Sequence, residues 1–386
     1  MNSFKKYIAH LDLDCFFVSV ERTFDSSLIG KPVVVGGSAT GRGVVASASY
    51  EARKYGVRSA MPTGQALRLC PNLIVVRGRH GEYGRVSNLL YERVVQIAPV
   101  VERASIDEMN LDFTGCEHLY GDDLPGFMKK LQKIVWEEFK LPCTIALGSN
   151  KLITKIAANT VKPNGVVFVP HGTEETFLSP LVIDVIPGIG TKTAERLRRF
   201  GLNLVRDIQE QTLPELISLL GKHGAWIHRA AHGLGSTDLH PDSERKSISH
   251  EQTFGENISN VLELEKLLHK QVEDVCASMR KRRWKAKTIT VKMRYADFKT
   301  ISRAQSLKEP THDDAVVFRV AQLLLREGYD RQKSLRLIGV RASEFVDVEQ
   351  MDIPLFGSTV ARTKALAAVD KIHNKFGKKS IHVGSA

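Results

Sequence analysis

The chain has 386 residues, 42% hydrophobic and 25% charged, with a formal net charge of +12, the composition of a basic globular protein with two to four domains. No stretch approaches the roughly 20 consecutive apolar residues that a membrane-spanning helix needs, and the N-terminus lacks a signal-peptide pattern, so we expect a cytoplasmic protein. The five cysteines are scattered and never occur in C-x-x-C spacing, which argues against a disulfide framework and against a zinc site.

The first 170 residues mix strands and helices without a regular β-α-β rhythm, which favours an α+β fold. Alternating or continuous apolar runs predict strands at 7–13, 31–37, 44–49, 143–148 and 166–169, and a hairpin across 100–112. The spacing of apolar residues predicts helices at 15–25, 50–55, 83–97, 124–139 and 151–160.

The rest of the chain divides into a helical region, a polar linker and a second mixed module. Residues 174–236 are predicted to be helical, and residues 235–247 contain few apolar side chains, as is typical of a linker. A strand, a helix, two strands, a helix and a strand are then predicted at 248–254, 260–281, 287–295, 300–306, 312–327 and 333–342. This order is a compact β-α-β-β-α-β module.

Acidic residues at the end of the first strand and in the 100–112 hairpin are the first candidates for chemistry. Asp12 and Asp14 belong to an HLDLD motif, and Asp107 and Glu108 belong to an SIDE motif. Acids inside apolar strands are costly unless they are paired or bind metal, and their oxygens suit Mg²⁺. If the strand ends meet in one sheet, Asp12, Asp107 and Glu108 converge on a metal site. Otherwise they are ordinary turn and capping residues, and Asp14 is a candidate N-cap of the helix that follows.

A second group of residues is suited to holding phosphates. Tyr50 and Arg53 are three residues apart and share one face of a predicted helix, and Lys162 lies in a KPNG turn. Arginine binds phosphate through two parallel hydrogen bonds, and tyrosine adds a hydroxyl donor. The three residues suit a triphosphate, although a surface pair beside an ordinary turn would give the same pattern.

The IPGIG sequence at 186–190 is typical of the hairpin in a helix–hairpin–helix element, which holds the DNA backbone without reading its sequence. Gly188 and Gly190 allow backbone N–H groups to approach a phosphate at the N-terminus of the next helix, where Lys192 also lies. The G-x-G-x-x-G spacing of a dinucleotide-binding loop is absent. A purely structural turn is the alternative interpretation.

Positive charge is concentrated in the second module, where residues 280–308 contain 11 lysines and arginines but only one acidic residue. Five basic residues on its predicted strands are candidates for following a phosphate backbone: Lys285, Lys287, Lys292, Arg294 and Arg303. A solvated run of charges is the alternative interpretation.

Taken together, the motifs resemble those of one family. Over about residues 5–345 the chain resembles the Y-family DNA polymerases, most of all the DinB or DNA polymerase IV subgroup. The resemblance is carried by HLDLDCFFVSVE (10–21), ASYEARKYGV (48–57), ASIDE (104–108), KIAANTVKPNG (155–165) and IPGIG (186–190). It implies a template-directed DNA polymerase of low fidelity that extends a primer 3′-OH and performs translesion synthesis.

The resemblance also implies roles for single residues. In the family, the carboxylates that match Asp12, Asp107 and Glu108 bind two Mg²⁺ ions, with the backbone carbonyl of Leu13 as a further ligand. Tyr50, Arg53 and Lys162 match the residues that bind the triphosphate of the incoming nucleotide. Phe16 and Phe17 are expected beside the nucleotide, and Phe17 matches the aromatic steric gate that excludes a ribose 2′-hydroxyl.

A right-hand architecture follows from the same resemblance. The palm would comprise residues 1–14 and 80–169, the fingers 15–79, the helical thumb with its helix–hairpin–helix 170–236, and the linker 237–247. A little-finger domain that binds DNA would comprise residues 248–345, and a tail 346–386.

The expected partners of a monomeric enzyme are primer–template DNA, dNTP and a sliding clamp. The tail contains QMDIPLF, which is similar to the short peptides by which bacterial polymerases bind the clamp. Gln350, Leu355 and Phe356 would make this contact, the last two as anchors in an apolar pocket. A tail that packs on its own domain is the alternative.

Two other classes of function have to be weighed. A DNA-binding module without activity would retain the acids only as vestiges, which the presence of Asp12, Asp107, Glu108, Arg53 and Lys162 argues against. A nuclease also uses carboxylate-bound metals. A primer-extension assay distinguishes the three classes.

Overall fold

The structure is a computed structural model that describes residues 5–79, 81–241 and 244–347, and nearer the C-terminus residues 365, 366, 368–372, 375–377, 380 and 381. The chain divides into two compact units, Met1–Ser243 and Glu244–Ala386. Among the described residues, none of the helices is both long enough and apolar enough to cross a membrane.

The first unit contains short strands interleaved with helices. Its strands are β1 (Ile8–Leu13), β2 (Val33–Gly36), β3 (Val45–Ala48), β4 (Ile74–Val76), β5 (Val100–Arg103), β6 (Glu108–Asp112), β7 (Cys143–Gly148) and β8 (Val166–Phe168). Its helices are α1 (Phe16–Phe24), α2 (Tyr50–Arg53), α3 (Thr63–Leu69), α4 (Glu82–Val95), α5 (Leu124–Phe139), α6 (Lys151–Val161), α7 (Glu174–Leu178), α8 (Thr191–Arg199), α9 (Val205–Gln209), α10 (Leu213–Leu220) and α11 (Lys222–Ala231).

Strand β1 lies in the middle of a five-stranded sheet with the order β5-β6-β1-β7-β8. It is antiparallel to both neighbours, and all six of its residues are buried. A strand covered on both faces needs an apolar sequence, so the polar His10 and Asp12 within it require partners. The predicted 100–112 hairpin is present as the antiparallel pair β5–β6.

A smaller sheet, β3-β2-β4, has its own apolar cluster together with α2 and α3. Helix α3 and strand β4 were not predicted, because seven and three residues are too few to establish a period. Helices α7 to α11 pack around a further cluster, which includes Leu197 and Ile227 and extends to α6.

The second unit has strands β9 (Ser247–Ile258), β10 (Trp284–Tyr295), β11 (Thr300–Thr311) and β12 (Leu335–Asp347), with helices α12 (Val261–Lys281) and α13 (Asp314–Gly328). The strands form one antiparallel sheet in the order β11-β10-β12-β9. Buried residues of both helices, such as Leu268 and Val317, share a cluster with Val291 of the sheet. The predicted β-α-β-β-α-β order is confirmed, and the strands run longer than their apolar alternation suggested.

Candidate active site

Strands β1 and β6 place two of the predicted carboxylates opposite each other. Asp12 and Glu108 are cross-strand partners, and the Leu13 N–H donates to the Asp107 carbonyl at 3.0 Å. One carboxylate oxygen of Asp12, one of Glu108 and one ring nitrogen of His10 all lie within 4.8 Å of one another. The first strand and the SIDE turn therefore meet in one sheet.

A cavity of about 260 Å³ opens at these strand ends. It is lined by Asp12, Leu13, Cys15, Phe16, Phe17, Ala46, Ser47, Arg53, Ser59, Asp107, Glu108 and Lys162. Of the metal-binding and nucleotide-binding residues suggested by the sequence, only Tyr50 is not part of this lining. Residues that are far apart in the chain thus border one space.

Two lysines oppose the carboxylates. Lys162 Nζ lies 2.5 Å from Asp12 Oδ2, and Lys155 Nζ lies 2.7 and 2.6 Å from the two carboxylate oxygens of Glu108. Nothing in the sequence indicated the Lys155 contact, because no local pattern links helix α6 to strand β6. Asp12 and Glu108 are thus each paired with a lysine ammonium group.

Burial disfavours the charged forms of both Asp12 and Glu108, but their pKa values shift in opposite directions. Burial raises the pKa of Asp12 to about 6, Lys162 opposes this effect, and the charges of Glu108 and Asp107 add to it. Burial also disfavours the charged form of Glu108, but hydrogen bonds and positive charge from Lys155 outweigh it and lower the pKa. Burial lowers the pKa of His10. Acidic oxygens that lack water in this way are suited to a divalent cation.

Asp107 is at the edge of this group. The Ser105 hydroxyl donates to Asp107 Oδ1 at 2.5 Å and accepts the backbone N–H groups of Asp107 and Glu108. The serine thus stabilises the tight turn and keeps the Asp107 carboxylate at the cavity wall, outside the closer group of His10, Asp12 and Glu108.

Asp14 does not cap helix α1, so this alternative from the sequence is wrong. Cys15 occupies the N-cap position, without a side-chain capping bond. The buried Asp14 carboxylate instead accepts hydrogen bonds from the Tyr50 hydroxyl at 2.9 Å, the Thr144 hydroxyl at 3.0 Å and the Asn164 backbone N–H at 2.7 Å. These three donors satisfy the Asp14 carboxylate, and they connect the residue after β1 to α2, β7 and the KPNG turn.

The Arg53 guanidinium lies over the Tyr50 ring, 4.6 Å from its centroid, as their spacing on one helix face suggested. Arg53 borders the cavity, and its Nε–H donates to the Ala48 carbonyl at 3.0 Å. Tyr50 is directed elsewhere, because its hydroxyl donates to Asp14. Burial and the Asp14 charge raise the pKa of Tyr50, so the hydroxyl stays protonated and remains a donor.

The Phe17 ring is supported by an aromatic neighbour that the sequence did not reveal. Tyr83 of helix α4 stacks on it with 4.3 Å between ring centroids. The Tyr83 hydroxyl donates to Glu21 at 2.7 Å, and Glu21 also pairs with Arg79 at 3.0 Å. Phe17 is therefore held in place at the cavity wall by packing and by a fixed second ring.

The IPGIG sequence forms the turn that leads into helix α8. Gly188 has a φ of +94°, which strongly favours glycine, and an added Cβ would lie 3.3 Å from the Trp226 ring. Gly190 is the N-cap residue of α8, and Lys192 is exposed in its first turn. The turn thus presents backbone and a lysine at a helix N-terminus.

The five basic residues predicted in the second module do not share one surface. Val291 is buried under the helices, so its neighbours Lys292 and Arg294 in β10 lie on the opposite, outer face. Arg303 is the cross-strand partner of Val291 and therefore lies on the helix-covered face.

Two further basic residues lie nearer the irregular end of β10, and one was missed. Lys285 is near the start of the strand, and Lys287 is at a break in its register. Arg341 of β12, which the sequence did not single out, is the partner of Thr290 and shares the outer face with Lys292. The candidate clamp residues Gln350, Leu355 and Phe356 lie outside the described residues.

Sequence comparisons connect both units to one family. The impB/mucB/samB family matches residues 11–159, and the impB/mucB/samB family C-terminal domain matches residues 245–355. A DNA polymerase IV of Dehalococcoides mccartyi (strain CBDB1) is 37% identical, over 98% of this chain and 96% of its own length. Another, from Listeria monocytogenes serotype 4b (strain F2365), is 36% identical over 91% of this chain and 98% of its own length.

Solved structures give the same result. A Y-family DNA polymerase chimera, Dbh-Dpo4(243-245)-Dbh, matches with a TM-score of 0.80 and 31% identity over 88% of this chain and 99% of the chimera. DinB from Sulfolobus solfataricus matches with a TM-score of 0.62, also at 31% identity and with the same coverage. The fold is thus that of a Y-family DNA polymerase, which confirms the α+β, right-hand fold class. The chain belongs to the impB/mucB/samB family, within the DinB or DNA polymerase IV subgroup.

Proposed function

We propose that this DNA-directed DNA polymerase adds deoxynucleotides to a primer 3′-OH at the cavity beside Asp12 and Glu108, and that it does so across damaged template positions. The observation that carries the proposal is the pairing of Asp12 with Glu108 on neighbouring strands, with Asp107 at the wall of the same cavity. In a family of DNA polymerases, this is where carboxylates are expected to bind the catalytic cations.

The donor set suits Mg²⁺, two ions per site in our proposal. Asp12, Asp107 and Glu108 offer carboxylate oxygens and Leu13 a backbone carbonyl, all of them hard ligands. When bound, such ions activate the 3′-hydroxyl and neutralise the triphosphate. The protein positions the reacting groups and balances their charge, and we assign no side chain as general base.

Two residues of the cavity wall are proposed to bind the triphosphate. Arg53 and Lys162 both border the cavity, so two basic residues lie beside the space that a nucleotide would fill. Tyr50 acts with them, because its ring packs against the Arg53 guanidinium. Phe16 and Phe17 lie beside the sugar, and Phe17 is the steric gate, a role supported by the stacking of its ring on Tyr83.

DNA is proposed to contact both units. In the first unit the contact involves Gly188, Gly190 and Lys192, at the N-terminus of α8. In the second it involves Lys285, Lys287, Lys292 and Arg294, while Arg303 lies on the helix-covered face of the sheet and would reach DNA only from that side. The domains are assigned as 1–14 with 80–169 (palm), 15–79 (fingers), 170–236 (thumb), 237–247 (linker), 248–345 (little finger) and 346–386 (tail).

The proposal includes a clamp contact through Gln350, Leu355 and Phe356, which is supported by the motif alone. It also includes a monomeric state and a cytoplasmic location, both as expected from the sequence.

Primer extension with Mg²⁺ tests the proposal directly. The protein is incubated with a labelled primer–template and dNTPs, with EDTA as the control. A longer product that disappears with EDTA supports a polymerase. An unchanged primer would indicate a DNA-binding module, and a shorter primer would indicate a nuclease.

A further inference from the structure

A row of three polar side chains crosses three strands and ends beside the carboxylates. Glu102 of β5 is opposite Asn110 of β6, and Asn110 is opposite His10 of β1. Asn110 Nδ2 donates to Glu102 Oε1 at 2.9 Å, and Asn110 Oδ1 lies 2.9 Å from His10 Nδ1. Glu102 is thus connected to His10 through Asn110 and does not contact His10 directly. His10 in turn neighbours Asp12 and Glu108.

Glu102 is ionised and accepts several hydrogen bonds. Besides Asn110, its donors are Lys151 Nζ at 3.1 Å and the backbone N–H of His240 at 2.7 Å. Burial alone would raise the pKa of Glu102, but the bonds from His240, Asn110 and Lys151 outweigh it and lower the pKa. An ionised carboxylate only accepts hydrogen bonds. Asn110 must therefore turn its NH₂ group towards Glu102 and its carbonyl oxygen towards His10.

This orientation of Asn110 fixes the proton on the imidazole. A carbonyl oxygen is only an acceptor, so His10 Nδ1 has to carry the hydrogen that it donates. In the neutral ring, the other nitrogen, Nε2, then has a bare lone pair. His10 is only 2% exposed, and among the described residues its Nε2 atom has no hydrogen-bond partner.

We propose that Glu102, acting through Asn110, fixes the tautomer of His10 so that Nε2 offers a lone pair to the divalent-cation site of Asp12 and Glu108. Glu102 and Asn110 are positioning residues, and His10 is a further ligand of the cation or of a water molecule bound to it. A proton on Nε2 would point positive charge at the same place and weaken binding. Because the inference rests on the proposed function, its test measures the cation separately from catalysis.

Two variants separate the tautomer from the packing. In Glu102→Gln, the new amide can donate to Asn110, so that the Asn110 amide turns over and its NH₂ group faces His10. The double variant Glu102→Gln, Asn110→Asp exchanges the two functional groups and keeps the total charge. The carboxylate that it introduces at position 110 again accepts from His10 Nδ1. Glu138→Gln is the matched control, because Glu138 pairs with Arg93 on the exposed surface.

The tautomer is read from the ¹⁵N NMR shifts of ring nitrogens in the full-length, ¹⁵N-histidine-labelled protein, with the His10 signals assigned through His10→Gln. Cation binding is measured by EPR titration with Mn²⁺, and the site is defined by the signal lost in Asp12→Asn. We expect hydrogen on Nδ1 in the wild type. We expect hydrogen on Nε2 and about tenfold weaker Mn²⁺ binding in Glu102→Gln, the scale typical for residues that orient metal ligands. The double variant should recover most of the affinity.

A wild-type protein with hydrogen on His10 Nε2 would overturn the proposal, and this measurement needs only the assignment variant His10→Gln besides the wild type. Equal Mn²⁺ affinity in Glu102→Gln and Glu138→Gln would overturn it as well, as would a double variant no better than Glu102→Gln. In all three cases the wild type still binds Mn²⁺ and extends a primer. Failure of the proposed function is different, because wild-type Mn²⁺ binding and primer extension are then both lost.

Discussion

At the scale of single residues, two acids of the cavity are paired with lysines from elsewhere in the chain, and the third accepts a hydrogen bond from a serine in its own turn. Lys162 pairs with Asp12, Lys155 with Glu108, and Ser105 holds Asp107. Buried charges that lack such partners cost several kcal/mol each, so the pairs stabilise the site before any cation or nucleotide binds. The same lysines lower the repulsion between carboxylates that lie on adjacent strands.

The Phe17 assignment gives a prediction about sugar choice. In Phe17→Ala the ring that blocks a 2′-hydroxyl is removed, so the preference for deoxyribonucleotides should fall by at least about tenfold, the scale of discrimination by an apolar pocket. Single-nucleotide extension with dNTP and rNTP measures the ratio of kcat/KM values. Phe24→Ala is the control, because Phe24 is on the same helix α1 and is 47% exposed. Unchanged sugar discrimination in Phe17→Ala would refute the gate.

The sequence predicted the acids but not the residues that hold them. Asp12 and Glu108 stood out because each lies in an apolar strand, where an unpartnered charge is expensive. Tyr83 and Lys155 lie in ordinary helical patterns, and only the packing of α4 and α6 brings them against Phe17 and Glu108. The alternative that Asp14 caps helix α1 came from the local preference for acids at helix N-termini, whereas the residue has three distant donors.

At the scale of elements, alternation along a strand determines which side chains lie on the outer face of the second unit's sheet. The alternation of apolar and polar residues predicted strand β10. The side chains of Ile289, Val291 and Met293 are buried, which leaves Lys292 and Arg294 on the outer face. The face of Arg303 depends on the register between β10 and β11, which the sequence does not reveal. A shift of one residue in register exchanges the faces, so the sequence alone could not separate Arg303 from Lys292 and Arg294.

This difference in faces is testable by salt dependence. Lys292→Gln and Arg294→Gln should each reduce the slope of log K against log salt concentration for DNA binding by about 1, as expected for one lost phosphate contact. Arg303→Gln should leave the slope unchanged, which makes it a matched control from the same sheet. Binding is followed by fluorescence anisotropy with a labelled primer–template across a salt series. A similar reduction for all three variants would contradict the face assignment.

At the scale of the whole molecule, the chain builds two units with separate cores. The first unit packs around the five-stranded sheet, and the second packs two helices on four strands. The sequence indicated this division by the polar stretch at 235–247 and by the renewed strand pattern after it. It also showed the concentration of basic residues, because composition is independent of folding.

The clamp motif gives a prediction at this scale. Deleting residues 350–356 should abolish most of the stimulation that a bacterial sliding clamp gives to primer extension, because the apolar anchors Leu355 and Phe356 are lost. Extension without clamp should remain within about twofold, since nothing in the cavity is altered. The double substitution Leu355→Ala, Phe356→Ala is the milder version with the chain length unchanged. Stimulation equal to that of the wild type would show that the tail does not bind the clamp.

The proposed polymerase activity depends most on the binding of the catalytic cations by the carboxylates of strand β1 and the SIDE turn. Single-turnover extension by Asp107→Ala tests it most directly, because Asp107 lies at the edge of the group and the proposal still assigns it a catalytic role. We expect a rate lower by about a thousandfold, the scale for losing a major electrostatic group, with primer–template affinity retained. Asp122→Ala, at an exposed carboxylate, should behave as the wild type. Extension by Asp107→Ala at the wild-type rate would contradict the account.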